Sequence, residues 1–239
     1  MTIYLTSSPC TEGNVFTEAN GFRKDFMQAL APEVNALFIT AAPADKAFTE
    51  HCAQCMKECL EEAGVNLVQF NYLDNDNRED APTLVAQSNL IIVGGGHVPT
   101  QNRFLHETGL PQLMENYQGV VMGISAGSMN CATEVYAEPE EPGEAIDPDF
   151  QRFLPGLGLT PHQIMPHYNQ NHDARIDGLH LYEEIARGDS YGRCIFILPD
   201  GSYISSHEGY DEVHGEAWIM AEGEMSKLCE DGETIVINE

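Results

Sequence analysis

The segment Gly119-Val120-Val121-Met122-Gly123-Ile124-Ser125-Ala126-Gly127-Ser128-Met129 runs an apolar strand pattern into Gly-x-Ser-x-Gly and then a helical pattern. A serine at such a strand-to-helix turn projects its hydroxyl beyond the sheet edge. The N–H groups of the following helix start then face any oxyanion that forms there. This makes Ser125 a candidate nucleophile, with small residues at Gly123 and Gly127 allowing strand and helix to approach closely. A serine hydroxyl needs a base, and the base needs an orienting acceptor. Among nine histidines, His167 is the best placed, because it follows the short strand Gln163-Ile164-Met165 and its neighbour Pro166 restricts the local backbone. A carboxylate between Ser125 and His167 would complete a triad in the order serine, acid, histidine. The acidic stretch there offers Glu138, Glu140, Glu141 and Glu144, and composition does not choose among them. Gly94-Gly95-Gly96 exposes backbone N–H groups that no side chain obstructs, so Gly95, Gly96 and Ala126 are the candidate oxyanion donors. His97, directly after the glycines, is a candidate substrate contact.

These residues need a scaffold that gathers them, and the hydrophobic pattern supplies one. Short apolar strands at Thr2 to Leu5, Ala36 to Thr40, Asn66 to Tyr72, Asn89 to Val93 and before Ser125 alternate with helical stretches. This is the pattern of an α/β fold with a mostly parallel central sheet flanked by helices on both faces. In such sheets the site lies at the carboxyl ends of the strands, where Gly94 to Gly96 and Ser125 both fall. From Glu134 to Gly158 the pattern lapses into an acidic loop punctuated by proline and glycine, long enough to suggest function or mobility. Ile176, Leu179, Tyr182 and Ile185 outline a further helix capped by Asp173. Cys194 through Asn238 alternates short strands with Asp-Gly and Glu-Gly turns and predicts β-hairpins at the end of the sheet. The whole of 1–239 reads as a single domain.

Composition limits the partners. The net charge of −27, from 11 basic and 38 acidic residues, argues against nucleic acid or an anionic membrane surface. The start Met1-Thr2-Ile3-Tyr4-Leu5 lacks a signal-peptide pattern, and no apolar run approaches the roughly 20 residues of a membrane helix. A soluble, cytoplasmic protein is expected. Seven cysteines fit a reducing compartment. Cys52, Cys55 and Cys59 share an apolar helical stripe with Phe48, Met56, Leu60 and Ala63, which reads as core packing rather than as a metal or redox site. Gly94 to Gly96 lacks the Lys-Ser/Thr ending of a phosphate loop, so no nucleotide is expected. No cofactor or metal is implied.

Four segments, Ile91-Ile92-Val93-Gly94-Gly95-Gly96, Gly123-Ile124-Ser125-Ala126-Gly127-Ser128, Gln163-Ile164-Met165-Pro166-His167-Tyr168 and Leu198-Pro199-Asp200-Gly201-Ser202-Tyr203-Ile204, occur in one order across most of the chain. In this the sequence resembles serine peptidases of the peptidase E and cyanophycinase type. The resemblance implies a fold like class I glutamine amidotransferases, with serine replacing their cysteine nucleophile. It implies Ser125 as nucleophile and His167 as base. By the family's spacing the acid falls at Glu140, where peptidase E itself has aspartate. Peptidase E cleaves dipeptides with an N-terminal aspartate, using an arginine in the segment after the histidine. That segment is shorter here and offers Arg175. A dipeptidase-like enzyme acting on small peptides through a Ser-His-Glu triad is therefore expected, with a homodimer as the assembly to consider. The alternative is an amidotransferase-like binding module without catalysis.

Overall fold

The structure, a computed structural model, describes residues 1–207 and 209–237; the expected end of the last strands at Asn238 lies outside them. The main sheet is built first from β1 (Thr2–Thr6), β2 (Val34–Ile39), β3 (Leu67–Leu73), β4 (Leu90–Val93) and β5 (Val120–Ile124). These five strands are mutually parallel in the order β1-β5-β4-β2-β3. Helices α1 (Phe22–Ala29), α2 (Lys46–Glu62), α3 (Ala81–Gln87), α4 (Val98–Glu107), α5 (Leu110–Met114) and α6 (Ala126–Asn130) connect and follow them.

Strand alternation divides the apolar side chains between two cores. Ile3, Leu5, Leu37, Ile39, Ile91, Val93 and Val121 pack against α3, α4, α5 and α6, while Tyr4, Ala36, Phe38, Leu90, Ile92, Val120 and Met122 pack against α1 and α2. Each fully buried large aliphatic side chain contributes about 1.5–3 kcal/mol. The uninterrupted apolar strands are thus explained by burial on both faces.

Helix α2 shows how local chemistry sets element bounds. The Asp45 carboxylate caps it by accepting the Phe48 N–H at 3.0 Å. At its other end Gly64 takes a positive φ of 84°, and the Val65 N–H returns to the Leu60 carbonyl at 3.0 Å. Along its stripe Met56, Cys59 and Leu60 are buried and Cys52 is half-buried, but Phe48 is exposed, so the expected core stripe stops short of the first turn.

Beyond α6 the chain departs from the expected pattern. A ribbon of β6 (Glu134–Tyr136) and β7 (Phe153–Pro155) closes the acidic loop at its base. Strand β8 (Gln163–Met165) leads through His167 into the short helix α7 (Tyr168–Asn171). The helix expected after Asp173 is instead a two-stranded turn, Arg175–Ile176 against Leu179–His180, followed by a π-type helical segment at Leu181–Ala186. The reason is the Asp177-Gly178 pair, whose positive φ values of 52° and 87° make a hairpin turn that no α-helix accommodates.

The remaining strands are β9 (Cys194–Ile197), β10 (Tyr203–His207), β11 (Tyr210–His214), β12 (Ala217–Ala221), β13 (Glu224–Cys229) and β14 (Thr234–Val236). They do not all extend one sheet. Strands β10, β11 and β14 continue the main sheet antiparallel beyond β1, giving the order β14-β11-β10-β1-β5-β4-β2-β3, whereas β8-β9-β12-β13 form a second sheet. Ile164, Phe196, Leu198 and Ala217 of the second sheet join the core shared with α3 to α6, and Met165, Ile195, Ile197 and Met220 face a third core with Tyr136, Leu181 and Ile185. Among the described residues no helix is long and apolar enough to cross a membrane.

Candidate active site

Three registers bring the site together. Thr6 at the end of β1 pairs with Ile124, and Val93 at the end of β4 pairs with Gly123, so the Gly94 to Gly96 turn and Ser125 leave the main sheet side by side. In the second sheet β8 and β9 are parallel with Met165 opposite Ile197, so Pro166-His167 and Leu198-Pro199-Asp200 exit in the same direction. Strand β10 then returns antiparallel to β1 with Tyr203 opposite Thr6, which lays Asp200 beside Ser7.

Ser125 sits at φ 51°, ψ −115°, outside the regions that a side-chain-bearing residue normally occupies. The surrounding bonds hold it there. Its N–H donates to the Thr6 carbonyl at 3.0 Å, and its carbonyl accepts the Met129 N–H at 3.1 Å. The Thr6 carbonyl also receives the Ser128 hydroxyl at 2.8 Å. The glycines of the motif are steric requirements: a Cβ on Gly127 would lie 2.0 Å from the Val93 carbonyl oxygen, and one on Gly123 would lie 2.5 Å from the Ser128 Cα.

The His167 ring lies between two partners, with Nε2 2.9 Å from Ser125 Oγ and Nδ1 2.7 Å from Asp200 Oδ1. Asp200 as acceptor requires the proton on Nδ1, which leaves Nε2 free to accept from the serine hydroxyl. His167 is itself left-handed, at φ 60°, ψ 31°. Its N–H donates to Ser7 Oγ at 2.8 Å, and the Ser7 hydroxyl donates onward to Asp200 Oδ1 at 2.7 Å. The Gln170 amide donates to the other carboxylate oxygen, and Asn169 Oδ1 accepts the Asp200 N–H at 3.0 Å. Partial burial works against ionisation of Asp200, but the bonds from His167, Ser7 and Gln170 outweigh it and hold the carboxyl below its usual range.

The carboxylate on His167 is thus Asp200 and not Glu140, which corrects the expected Ser-His-Glu triad. Counting along the chain assumes that the acidic loop runs to the imidazole, but this loop is tied elsewhere. Asp177 accepts the N–H groups of Gly143 and Ala145 at 2.8 and 3.0 Å, and Glu144 Oε2 accepts those of Glu140 and Glu141 at 2.9 and 3.0 Å. Glu140 consequently lines the cleft beside Ser125 and His167 without bonding the ring. The residue is exposed, yet neighbouring protein takes part of its carboxylate's hydration. That loss, with the neighbouring charges of Glu144 and Glu141, prevails over the pull of His97 and His167 and raises its carboxyl to about 7. Glu138 lies deeper, at 4% exposure, with Oε2 lacking a hydrogen-bond partner among the described residues. Burial first, and then the charge of Glu140, pushes it well above the ordinary carboxyl range.

The remaining expected contacts divide. A Cβ on Gly95 would sit 3.4 Å from the Ser125 Cβ, so this backbone lies against the nucleophile. Ala126 opens α6, where its N–H has no intrahelical acceptor. Gly96 instead packs against Ala41, 2.7 Å from where its own Cβ would be. His97 does not line the cleft. Its Nδ1 meets Thr100 Oγ1 at 2.8 Å and its Nε2 meets Glu144 Oε1 at 2.9 Å, so it anchors the acidic loop. The ligand atoms of His97, Glu141 and Glu144 fall within 4.8 Å of one another, but the Glu144 oxygens are already engaged by His97 and by the loop's own N–H groups. Arg175 is exposed and turned away, its guanidinium donating to the Gly178 carbonyl at 3.0 Å and contacting His180. The cleft encloses about 260 Å³, with Pro139, Ala174, Ile176 and Leu181 among its apolar walls.

Asp200, Ser7 and Gln170 are site residues not expected from the sequence. The signal for Asp200 was an Asp-Gly pair directly after an apolar strand, the same strand-end position that singles out His167.

Comparison with known proteins bears on this geometry. The model of peptidase family S51 matches residues 3–210. The fold is similar to the crystal structure of a peptidase from an acI-B1 Actinobacterium, with a TM-score of 0.66 at 18% identity, covering 99% of this chain and 96% of that one. It is also similar to a putative peptidase E protein from Listeria monocytogenes EGD-e, with a TM-score of 0.60 at 17% identity, covering 95% of this chain and 98% of that one. No curated protein sequence matches significantly.

Proposed function

Because the chain belongs to peptidase family S51, we propose that it is a serine-type exopeptidase hydrolysing small peptides, with Ser125 as nucleophile, His167 as base and Asp200 as the orienting acid. The observation that carries this reading is the continuous relay from Ser125 Oγ through His167 to Asp200 at 2.9 and 2.7 Å.

The chemistry follows from the bonds. His167 Nε2 takes the hydroxyl proton as Ser125 Oγ attacks the substrate carbonyl, and the Nδ1–H bond to Asp200 stabilises the imidazolium so formed. The N–H groups of Gly95 and Ala126 flank the nucleophile and serve as donors to the oxyanion. The imidazolium then gives its proton to the leaving amine, leaving Ser125 acylated. Water, deprotonated by the same Nε2, attacks the ester and releases the acid. A cleft of about 260 Å³ is below the roughly 300–1,000 Å³ usual for drug-sized ligands, which favours one or two residues rather than a folded protein as substrate.

The test compares wild type with Ser125→Ala on a panel of dipeptides alongside labelling by a fluorophosphonate. Wild type is expected to release free amino acids and to label at Ser125, and the variant to lose about 10⁴-fold or more in turnover. Absence of both cleavage and labelling in wild type would leave the protein a binding module and end the peptidase reading.

A further inference from the structure

We propose that the cleft beside Ser125 selects substrates bearing a basic side chain on the residue whose carbonyl is attacked, and that Glu138 and Glu140 receive its charge. The proposal rests on Ser125 being the nucleophile of a peptidase, and it concerns what that nucleophile is given to attack.

Four observations lead there. First, Glu138 Oε2 is buried and has no partner, although Glu138 lines the same cleft as Ser125 and His167. Buried carboxylate oxygens are ordinarily hydrogen-bonded, and an orphan in a binding cleft is an acceptor waiting for a donor. Second, Glu140 lines the cleft as well, and among the described residues no Lys or Arg lines it, so the recess holds two acids without a lysine or arginine partner. Third, the arginine that could have received an acidic substrate is committed to Gly178 and His180 outside the cleft. Fourth, the walls next to the acids are apolar, among them Pro139, Ile176 and Leu181, which suits the methylene stem of a long basic side chain.

The energetics agree. Burial, with the charge of Glu140, raises the Glu138 carboxyl well above its usual range, and lost hydration with the nearby acids raises Glu140 to about 7; an arriving ammonium or guanidinium offsets both penalties with a charge-assisted bond. The competing arrangement has both acids staying protonated and donating to a substrate carboxylate. That arrangement would have to bring a further anion up to Glu138 and Glu140, with Glu141 and Glu144 close behind, inside a protein of net charge −27.

The experiment measures kcat/KM at pH 8 for Lys-Ala, norleucyl-Ala, Asp-Ala and N-acetyl-Lys-Ala. Lys-Ala should exceed norleucyl-Ala by about tenfold or more, with Asp-Ala the poorest; N-acetyl-Lys-Ala reports separately on the free N-terminus that an exopeptidase needs. In Glu138→Gln that ratio should fall at least about tenfold, with the change in KM rather than kcat. A preference for Asp-Ala, the absence of the contrast between Lys-Ala and norleucyl-Ala, or an unchanged ratio in the variant overturns the proposal. Calorimetric binding of the same peptides to Ser125→Ala gives the answer independently of turnover. Preferential binding of the cationic peptides there supports the proposal even if wild type cleaves nothing, a result that would refute the peptidase reading alone.

Discussion

At the scale of single residues, the site turns on one carboxylate. Asp200 and Glu140 both lie near His167, but only Asp200 bonds Nδ1, and the bonds from His167, Ser7 and Gln170 hold its carboxyl below the usual range against partial burial. Asparagine at 200 would present an amide that can turn the imidazole to the wrong tautomer, so Asp200→Asn should lower kcat by about 10³–10⁴-fold without unfolding the protein. Glu140→Gln, which leaves the relay intact, should lower kcat far less, and steady-state kinetics on one dipeptide decide between the two acids. The contrast also marks what could be read from the chain. Ser125 and His167 are legible because each is announced by its own few neighbours, a strand, a turn and a small or rigid residue. Asp200 is not, because its role depends on the register of β8 against β9, which only the folded sheet fixes.

At the scale of elements, the acidic loop is the part whose sequence misleads. Its carboxylates look like an undifferentiated solvated run, and in the structure they have separate tasks. Glu144 closes the loop onto His97, Asp177 pins it from the neighbouring turn, and Glu138 and Glu140 point toward the cleft. None of this is encoded in spacing, since the tethers come from His97 and Asp177 on other segments. The arrangement has a cost in stability that depends on pH. Glu138 and Glu140 have folded-state pKa values raised above their unfolded ones, so the folded protein binds more protons between those values, and stability falls as pH rises through that interval. Glu138→Gln should therefore raise Tm at pH 8, and the gain should shrink toward pH 4, where the unfolded carboxyl is protonated too. Thermal unfolding of both proteins across that range checks the sign, and a gain that grows on acidification would contradict it.

At the scale of the molecule, the parallel half of the fold is legible throughout and the rest only in part. The strands from β1 to β5 are buried on both faces, so their apolar runs stand out, and the helices between them carry ordinary periodicity. The C-terminal strands were visible as hairpins, but β10, β11 and β14 joining one sheet while β12 and β13 join another is a matter of long-range pairing. The charge of −27 acts on the whole body as well. Repulsion among 38 acidic residues opposes compaction and is screened over roughly 8 Å at physiological ionic strength. Raising NaCl from a few millimolar to physiological strength should accordingly lift Tm by about 2–4 °C, the response to roughly 1 kcal/mol in a chain of this size. A flat or falling Tm would show that local pairing already neutralises the field.

The relay draws its members from two layers. Ser125 and Ser7 stand at the rim of the main sheet, and His167 and Asp200 at the rim of the second, which has its own core on its far face. On the proposed mechanism, hydrolysis is thus a property of the seam between them. Any loosening that lets the smaller layer drift, even with both layers folded, separates hydroxyl from imidazole first, so turnover becomes a proximity gauge for the docking of one layer on the other.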